Sequence, residues 1–543
     1  MNSYAVASSP IPESNSSVQE TTSRPLPGPL ALLATLTGAI TLVLAFPEHN
    51  VWWLAPVGVA LMLWAVRGQR PRTALLLGFV GGLVFYLIHV LWSSEFLGPI
   101  PWAALAVEMA LWWMLGHGLL AVTYRRLAGR FWLLPVAVAG VWTAREAISS
   151  VFPYGGFAWG RLAQSQSASP LAEIVSWVGL SGLSFAIAWF SALVIELVLH
   201  PRNHNVLSRR KFVPQRGSAR VAVAAAAAAA LLAIPNFRLN SSGTVRILAV
   251  QGDTPGASYF IPSKPGEIMV SHASATAEIS PASNPDLILW PEGSIDVSPF
   301  ESSVAADWLT ELTETYDAPL LANTVTRTGD WNDSNTRYYN TQFVWTSAGA
   351  GPQYDKAHPI PFGEYVPNRE FFELLAPDLV GMVQREYSIG TRPNTLQIDA
   401  HRYGVFICYD IVDDALVRRA VADGSEVLLA PTNNADFGYT DESAQQLATA
   451  RLRAIESGRS LVQASTVGWT AAYAPDGTEL AAIDWYTPGA ILVDVPITTG
   501  TTAGIALGQS IELLLGGAGL VLTLAAPRPP QPARGRTRIR SLS

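Results

Sequence analysis

The sequence predicts a helical membrane bundle that carries a separate α/β layered domain, and three observations predict it. Hydrophobic residues fill 49% of the 543 positions and charged residues only 14%, with a mean hydropathy of +0.25. Average soluble domains carry roughly 25% charged residues, so much of this chain belongs in lipid. Eight apolar stretches have about the length a bilayer core requires, ~17–25 residues. Between the seventh and the eighth, short β-branched runs alternate with helical periodicity, the pattern of a layered α/β domain. A chain of this length also exceeds what one core normally fills, so at least two units are expected.

Residues 1–28 are rich in Ser, Pro, Asn and Glu and lack a basic segment leading into a cleavage site, so they read as a disordered cytoplasmic tail. The first seven spans, within residues 29–243, are expected near Pro29–Phe46, Trp52–Val66, Ala74–Trp92, Ala103–Val122, Phe131–Ile148, Pro170–Leu199 and Ala219–Pro235. The eighth falls at Ala503–Ala526, within 501–526, and residues 527–543 form a basic cytoplasmic tail that anchors the topology. Arginine and lysine in the connections set the orientation. Eighteen of them lie on one set of sides, against only Arg145, Arg161 and Arg238 on the other. That alternation places both termini in the cytoplasm and residues 244–500 outside it.

The outer region has different chemistry. It holds 33 acidic and 14 basic residues, a net charge of −19. Phosphate backbones want the opposite sign, so nucleic acid is not expected as a partner. The chain has one cysteine, so no disulfide framework supports it, and its eight scattered histidines show no metal-ligand spacing. No metal and no cofactor are expected. Strands are predicted at 245–250, 286–290, 318–325, 343–348, 404–408, 426–432, 460–466 and 490–495, with helices at Glu301–Tyr316, Asp413–Ala422 and Asp441–Ser457.

Three loops at strand ends deliver unusual polar residues, and such loops are where a rigid scaffold presents catalytic groups. "DLILWPEGS" brings out Glu292, "YDKAHPIPFGEYVP" brings Lys356 and Glu364, and "GVFICYD" brings Cys408. A thiol attacks a carbonyl as the thiolate, which its ordinary pKa near 8.5 makes scarce at neutral pH. A carboxylate within reach can take the proton as general base, and Glu292 is the candidate. The oxyanion that forms needs a fixed charge or N–H donors, which Lys356 and the backbone N–H after Cys408 can supply. Taken singly, each residue also reads as ordinary structure: a buried small hydrophobe, a strand-ending turn and a surface lysine. His358 reads as structural.

The ordered set "LILWPE", "KAHPIPFGEYVP" and "FICYD" resembles the Glu–Lys–Cys triad of the nitrilase superfamily. The membrane frame, with that domain inserted before its last span, resembles the apolipoprotein N-acyltransferases over roughly residues 29 to 526; "PFGEYVP" is the most family-specific string. The resemblance implies an αββα sandwich for residues 244–500. It implies Glu292 as general base, Lys356 as oxyanion stabiliser, Cys408 as nucleophile and Glu364 as a further glutamate orienting them. It also implies functional roles for Tyr409 and for an aromatic residue at Phe260, where related chains carry tryptophan. Two departures fall outside the triad: Asp410 stands where the family usually has glutamate, and "NNADFG" at Asn433–Gly438 replaces "NDAWFG".

The implied reaction has two steps. Cys408 takes a fatty acyl chain from a phospholipid as a thioester, and the N-terminal α-amine of an S-diacylglyceryl cysteine on an apolipoprotein then removes it as an amide. Expected partners are therefore a phospholipid donor, a diacylated apolipoprotein acceptor and membrane lipid, with the chain acting as a monomer. The same triad would also serve a membrane-tethered amidase that uses water as acceptor; the membrane frame and "PFGEYVP" disfavour it. The segment "FFELLAPDLVGMV", Phe371–Val383, reads as a mobile lid at the membrane surface or as a packed helix and turn. Glu108, Glu196, Glu512 and His117 are ionisable residues within apolar stretches and are assigned no catalytic role.

Overall fold

A computed structural model of the chain describes residues 25–199, 217–254, 264–330, 333, 335–383 and 385–527. The N-terminal part is helical: α1 (Gly28–Ala45), α2 (Leu54–Val66), α3 (Pro71–His89), the short α4 (Ser93–Leu97), α5 (Pro99–Arg126), α6 (Leu133–Ser149), α7 (Val175–Leu199) and α8 (Gly217–Leu232). Proline at the first turn starts α3 and α5, where its missing N–H costs nothing. Each of the eight predicted apolar stretches forms a helix, the last being α15 (Ala503–Ala525). Among the described residues, five segments can cross a membrane by length and composition: α1, α3, α5, α15 and the continuous stretch Pro170–Leu199 that ends in α7. Helices α2 and α8 are shorter, and α6 carries Arg145 and Glu146.

Helix α15 returns to this bundle and packs on α6 and α7 through small residues. A Cβ on Gly519 would lie 2.4 Å from the carbonyl carbon of Gly140, so neither position can carry a side chain at this crossing. Charges inside the bundle are paired: Arg67 Nε lies 2.8 Å from Glu196 Oε1, and the Arg145 guanidinium sits 4.8 Å and 4.7 Å above the rings of Trp113 and Trp142. Glu108 accepts a bond from the Trp112 indole at 2.6 Å, and His117 Nδ1 is 2.9 Å from the Trp113 carbonyl oxygen.

The second part runs β1 (Ser241–Gln251), α9 (Glu267–Thr276), β2 (Leu287–Leu289), α10 (Ser303–Tyr316), β3 (Leu320–Thr328), β4 (Arg337–Thr346) and β5 (Gly349–Asp355). It continues through α11 (Arg369–Leu375), α12 (Pro377–Val380), β6 (Thr395–Ile398), β7 (His401–Val405), α13 (Asp414–Ala422) and β8 (Val427–Thr432). Helix α14 (Glu442–Ser457) and strands β9 (Ser460–Ser465), β10 (Thr470–Tyr473), β11 (Glu479–Ile483) and β12 (Gly489–Thr498) complete it. Two six-stranded sheets form, in the orders β12-β1-β2-β3-β4-β5 and β11-β10-β9-β8-β7-β6. Strand β1 shows why they stack. Val245, Ile247 and Ala249 enter the core between the sheets, while Leu248 and Val250 face the layer holding Met269 of α9 and Leu309 of α10. A strand buried on both faces reads as a continuous apolar run, which is how 245–250 appears in the sequence. Helices α13 and α14 cover the other sheet, together with Ala158 and Trp159 from the α6–α7 connection. The architecture is an αββα sandwich seated on a helical bundle.

The sequence reading differs from the structure at several places, and helices α4 and α9 were not among its elements. The run 404–408 is not all strand: β7 stops at Val405, and Cys408 opens a 3-10 turn, Cys408–Val412. Strands β5, β6, β10 and β11 went unpredicted. The region's first strand begins at Ser241, three residues before the expected boundary.

Candidate active site

Glu292, Lys356, Glu364 and Cys408 leave different strands and meet at one end of the sandwich. Glu292 follows β2 and is almost fully buried. Its Oε1 accepts from Asn340 Nδ2 at 2.6 Å and from Lys356 Nζ at 3.2 Å, while Oε2 accepts from the Asn433 N–H at 3.1 Å. Lys356 follows β5, is 2% exposed, and also lies 2.9 Å from Glu364 Oε2. That oxygen additionally accepts the Ile360 N–H at 2.7 Å, a bond within the same loop that fixes the carboxylate against the lysine. One ammonium therefore serves two buried carboxylates. Burial opposes charge on Lys356, but Glu292 and Glu364 outweigh it and hold the ammonium well above its ordinary pKa. Burial pushes the Glu292 carboxyl up, against the pull of Lys356.

Cys408 is 5% exposed and has φ +50°, a left-handed conformation that costs a non-glycine residue about 1 kcal/mol or more. Asp410 holds this turn. Its Oδ2 accepts from the Tyr354 hydroxyl at 2.7 Å and the Ile407 N–H at 3.2 Å, and its Oδ1 accepts the His358 N–H at 2.9 Å. The residue that departs from the family pattern thus ties the cysteine turn to the lysine loop. Among the described residues the Tyr409 N–H, next along the turn from Cys408, donates to no carbonyl. Burial raises the Cys408 thiol well above its usual range, the charge of Glu292 adds to this, and Lys356 partly opposes it. Burial thus favours the neutral thiol, so attack needs a group that takes its proton. A thiol, a buried acceptor carboxylate, an ammonium and a backbone N–H in one water-poor site can together carry acyl transfer through a thioester.

Sequence reasoning missed the groups that orient these four. Asn340, in the middle of β4, donates to both Glu292 and Glu364 (3.3 Å to the latter) and accepts from Asn323 Nδ2 at 2.8 Å. Asn323 in turn accepts the Gly293 N–H at 2.8 Å, clamping the turn that carries Glu292. The sequence offers no local signal for Asn340, because β4 also carries Thr341 and Gln342 as buried polar residues. Tyr409 lies at the junction with the bundle. Its hydroxyl accepts the Ala158 N–H at 3.3 Å, and its ring stacks on Trp159 at 6.2 Å and 6° and on Phe157 at 6.4 Å and 14°. Phe437 of the NNADFG loop packs against Trp92 and Phe96 of the bundle at 5.2 and 5.4 Å. Phe260 lies outside the described residues. His358 contacts Asp413 at 3.0 Å and stands apart from the cluster.

The fold and the polar cluster define a nitrilase-type carbon-nitrogen hydrolase domain built onto an apolar helical region. Residues 250–503 match the carbon-nitrogen hydrolase family model, and residues 38–193 match that of the apolipoprotein N-acyltransferase N-terminal domain. The chain is 32% identical to the apolipoprotein N-acyltransferase of Mycolicibacterium smegmatis, over 91% of this chain and 85% of that one. It is 27% identical to the apolipoprotein N-acyltransferase of Shewanella oneidensis, over 90% of this chain and 94% of that one. The chain belongs to the apolipoprotein N-acyltransferase family.

Proposed function

We propose that this acyltransferase moves a fatty acyl chain from a phospholipid to the N-terminal α-amine of an S-diacylglyceryl cysteine on an apolipoprotein, with Cys408 as the carrier. The observation that carries the reading is the shared burial of Glu292, Lys356 and Glu364 beside a thiol on a left-handed turn, at the seam with an apolar bundle. In the first step Sγ bonds to the ester carbonyl carbon while Glu292 accepts the thiol proton. Lys356 Nζ and the Tyr409 N–H receive the charge on the carbonyl oxygen. The C–O bond then breaks, and the proton on Glu292 passes to the departing lysophospholipid oxygen. In the second step the acceptor amine attacks the thioester, Glu292 takes one of its protons, and the C–S bond breaks. That proton returns to sulfur. Glu364 and Asn340 hold Lys356 and Glu292 in register throughout.

The arginine and lysine distribution supports eight spans with both termini in the cytoplasm, an arrangement in which this site would lie on the far face of the membrane, where both lipid substrates can approach from the bilayer. Helices α11 and α12 suit a lid at that boundary. Phe372, Val380 and Val383 pack on Phe362 and Val366, while Phe371, Leu374, Leu375 and Met382 stay exposed, Leu374 at 86%.

Mass spectrometry of the purified full chain mixed with phospholipid tests the reading. An acyl adduct on Cys408 is expected, absent in Glu292→Gln, and its transfer to a diacylated lipopeptide should yield N-acylated peptide. Free fatty acid as the sole product would replace transfer with hydrolysis, and no adduct would overturn the carrier role.

A further inference from the structure

A buried polar chain ends on the sulfur of Cys408. It begins at a donor that cannot be reversed, the backbone N–H of Gly468, which donates to Ser465 Oγ at 2.8 Å. The Ser465 hydroxyl must therefore spend its own hydrogen elsewhere, and Asn434 Oδ1 receives it at 2.5 Å. This fixes the Asn434 amide: its Nδ2 donates to Glu442 Oε2 at 2.6 Å and to Gln446 Oε1 at 2.9 Å. Thr432 Oγ1 donates to the same Gln446 oxygen at 2.8 Å. With its oxygen twice occupied, Gln446 can present only Nε2 to the thiol, and it lies 3.4 Å from Sγ. All of Thr432, Asn434, Glu442, Gln446 and Ser465 are buried. Glu442 forms no ion pair among the described residues, so its one hydrogen bond to Asn434 is what holds it.

We propose that Gln446 is a further catalytic residue, whose Nε2–H donates to Sγ of Cys408, favours the thiolate and leaves the S–H hydrogen free for Glu292, and that Glu442 is a positioning residue that holds Gln446 in this direction through Asn434. The inference rests on Cys408 as nucleophile and adds a donor to the sulfur distinct from Lys356. The groups that face Sγ are then Glu292 after β2, Lys356 after β5, Thr432 at the end of β8, and Gln446 and Glu442 on α14. Asp410, on the thiol's own turn, spends its oxygens on Tyr354, His358 and Ile407. A neutral donor on a nascent thiolate contributes without adding a charge that Glu292 would have to oppose.

Because the chain has a single cysteine, iodoacetamide reads this site alone. The experiment is the alkylation rate of the detergent-solubilised full chain against pH. Gln446→Met, which keeps length without the N–H, should react roughly tenfold more slowly at every pH at which the chain stays folded. Glu442→Gln should give a smaller shift in the same direction, on the order of threefold, and Glu442→Asp should recover it. A Gln446→Met profile superimposed on that of the parent overturns the proposal. Should that variant fail to fold, an unchanged Glu442→Gln profile overturns it equally. Acyl-adduct formation by the unaltered chain, measured in parallel, separates the two readings: its absence sinks the transfer reaction, whereas a flat alkylation comparison sinks only the role of Gln446.

Discussion

Two ion clusters lie near the Cys408 turn, and they are built from different cations. At the site, one lysine faces Glu292 and Glu364 at 3.2 and 2.9 Å. At the seam with the bundle, Arg161 grips both oxygens of Asp414 at 3.0 and 2.9 Å, and Arg453 reaches Asp414 at 2.6 Å and Glu456 at 2.5 Å. Arg453 also donates to the carbonyls of Ile411 and Val412 at 2.9 and 2.7 Å, bracing the turn that opens with Cys408. The guanidinium forks spend their donors on the fold, which is what a planar cation with five N–H groups does well. The lysine is a compact charge on a flexible stem and can shift toward an oxyanion. Charge that anchors and charge that reacts are thus segregated by residue type.

Breaking each cluster should have different consequences. The largest effect is expected at the site: Lys356→Met removes the oxyanion charge and the ammonium that Glu292 and Glu364 share. Acyl-adduct formation should fall by about 10²–10³-fold or more, measured by single-turnover mass spectrometry. A loss under tenfold would move the oxyanion role elsewhere.

Next comes the seam. Arg453→Met leaves Asp414 and Glu456 underpaired in the interior and should cost about 3–5 kcal/mol of stability, read from the denaturant midpoint in detergent. The protein that remains folded should still acylate. Burial opposes charge on Asp414, but Arg161 and Arg453 outweigh it and hold its pKa well below the usual range. A depressed carboxylate contributes stability above its unfolded value, near 3.9, and loses it as pH falls through the folded value. The contribution should therefore persist from neutrality down to about pH 4 and erode below it. That erosion should be missing in Asp414→Asn.

The smallest effect is expected at Tyr409→Phe, which keeps both stacked neighbours but leaves the Ala158 N–H unpaired. About 1 kcal/mol of stability and under threefold in rate are expected. A rate loss beyond tenfold would mean that the hydroxyl touches the reacting atoms.

The sequence made the apolar bundle and the central strands legible because continuous apolar runs can be read without knowing their neighbours. Strands β5, β6 and β11 escaped because all three are sheet edges. Edge strands are kept short or polar, as "GAGPQYD" and "TLQI" are. Glu292 and Cys408 stood out as polar groups where apolar runs end, and Lys356 as a lysine in the Pro- and Gly-rich loop "YDKAHPIPFGEYVP". Asn340 did not, since its meaning depends on which two carboxylates the opposite turns bring to it. Asp410 read as a substitution one methylene short; only the fold shows three donors converging on it. Gln446 follows Gln445 on α14, and nothing local separates them. Gln445 takes the indole N–H groups of Trp92 and Trp159 at 3.2 and 2.6 Å, on the bundle side, while Gln446 faces the sulfur.

Strands β1 and β12 pair antiparallel from Ser241 opposite Thr498 to Gln251 opposite Gly489, joining the first and last strands of the sandwich. During synthesis the earliest strand must therefore wait, with one long edge bare, for a partner nearly the whole domain later. Such a distant pairing makes closure slow, and it offers quality-control machinery an interval in which unfinished sheet is visible. A chain truncated before Gly489 would keep its nucleophile and every group around it, yet never seal the wall behind them.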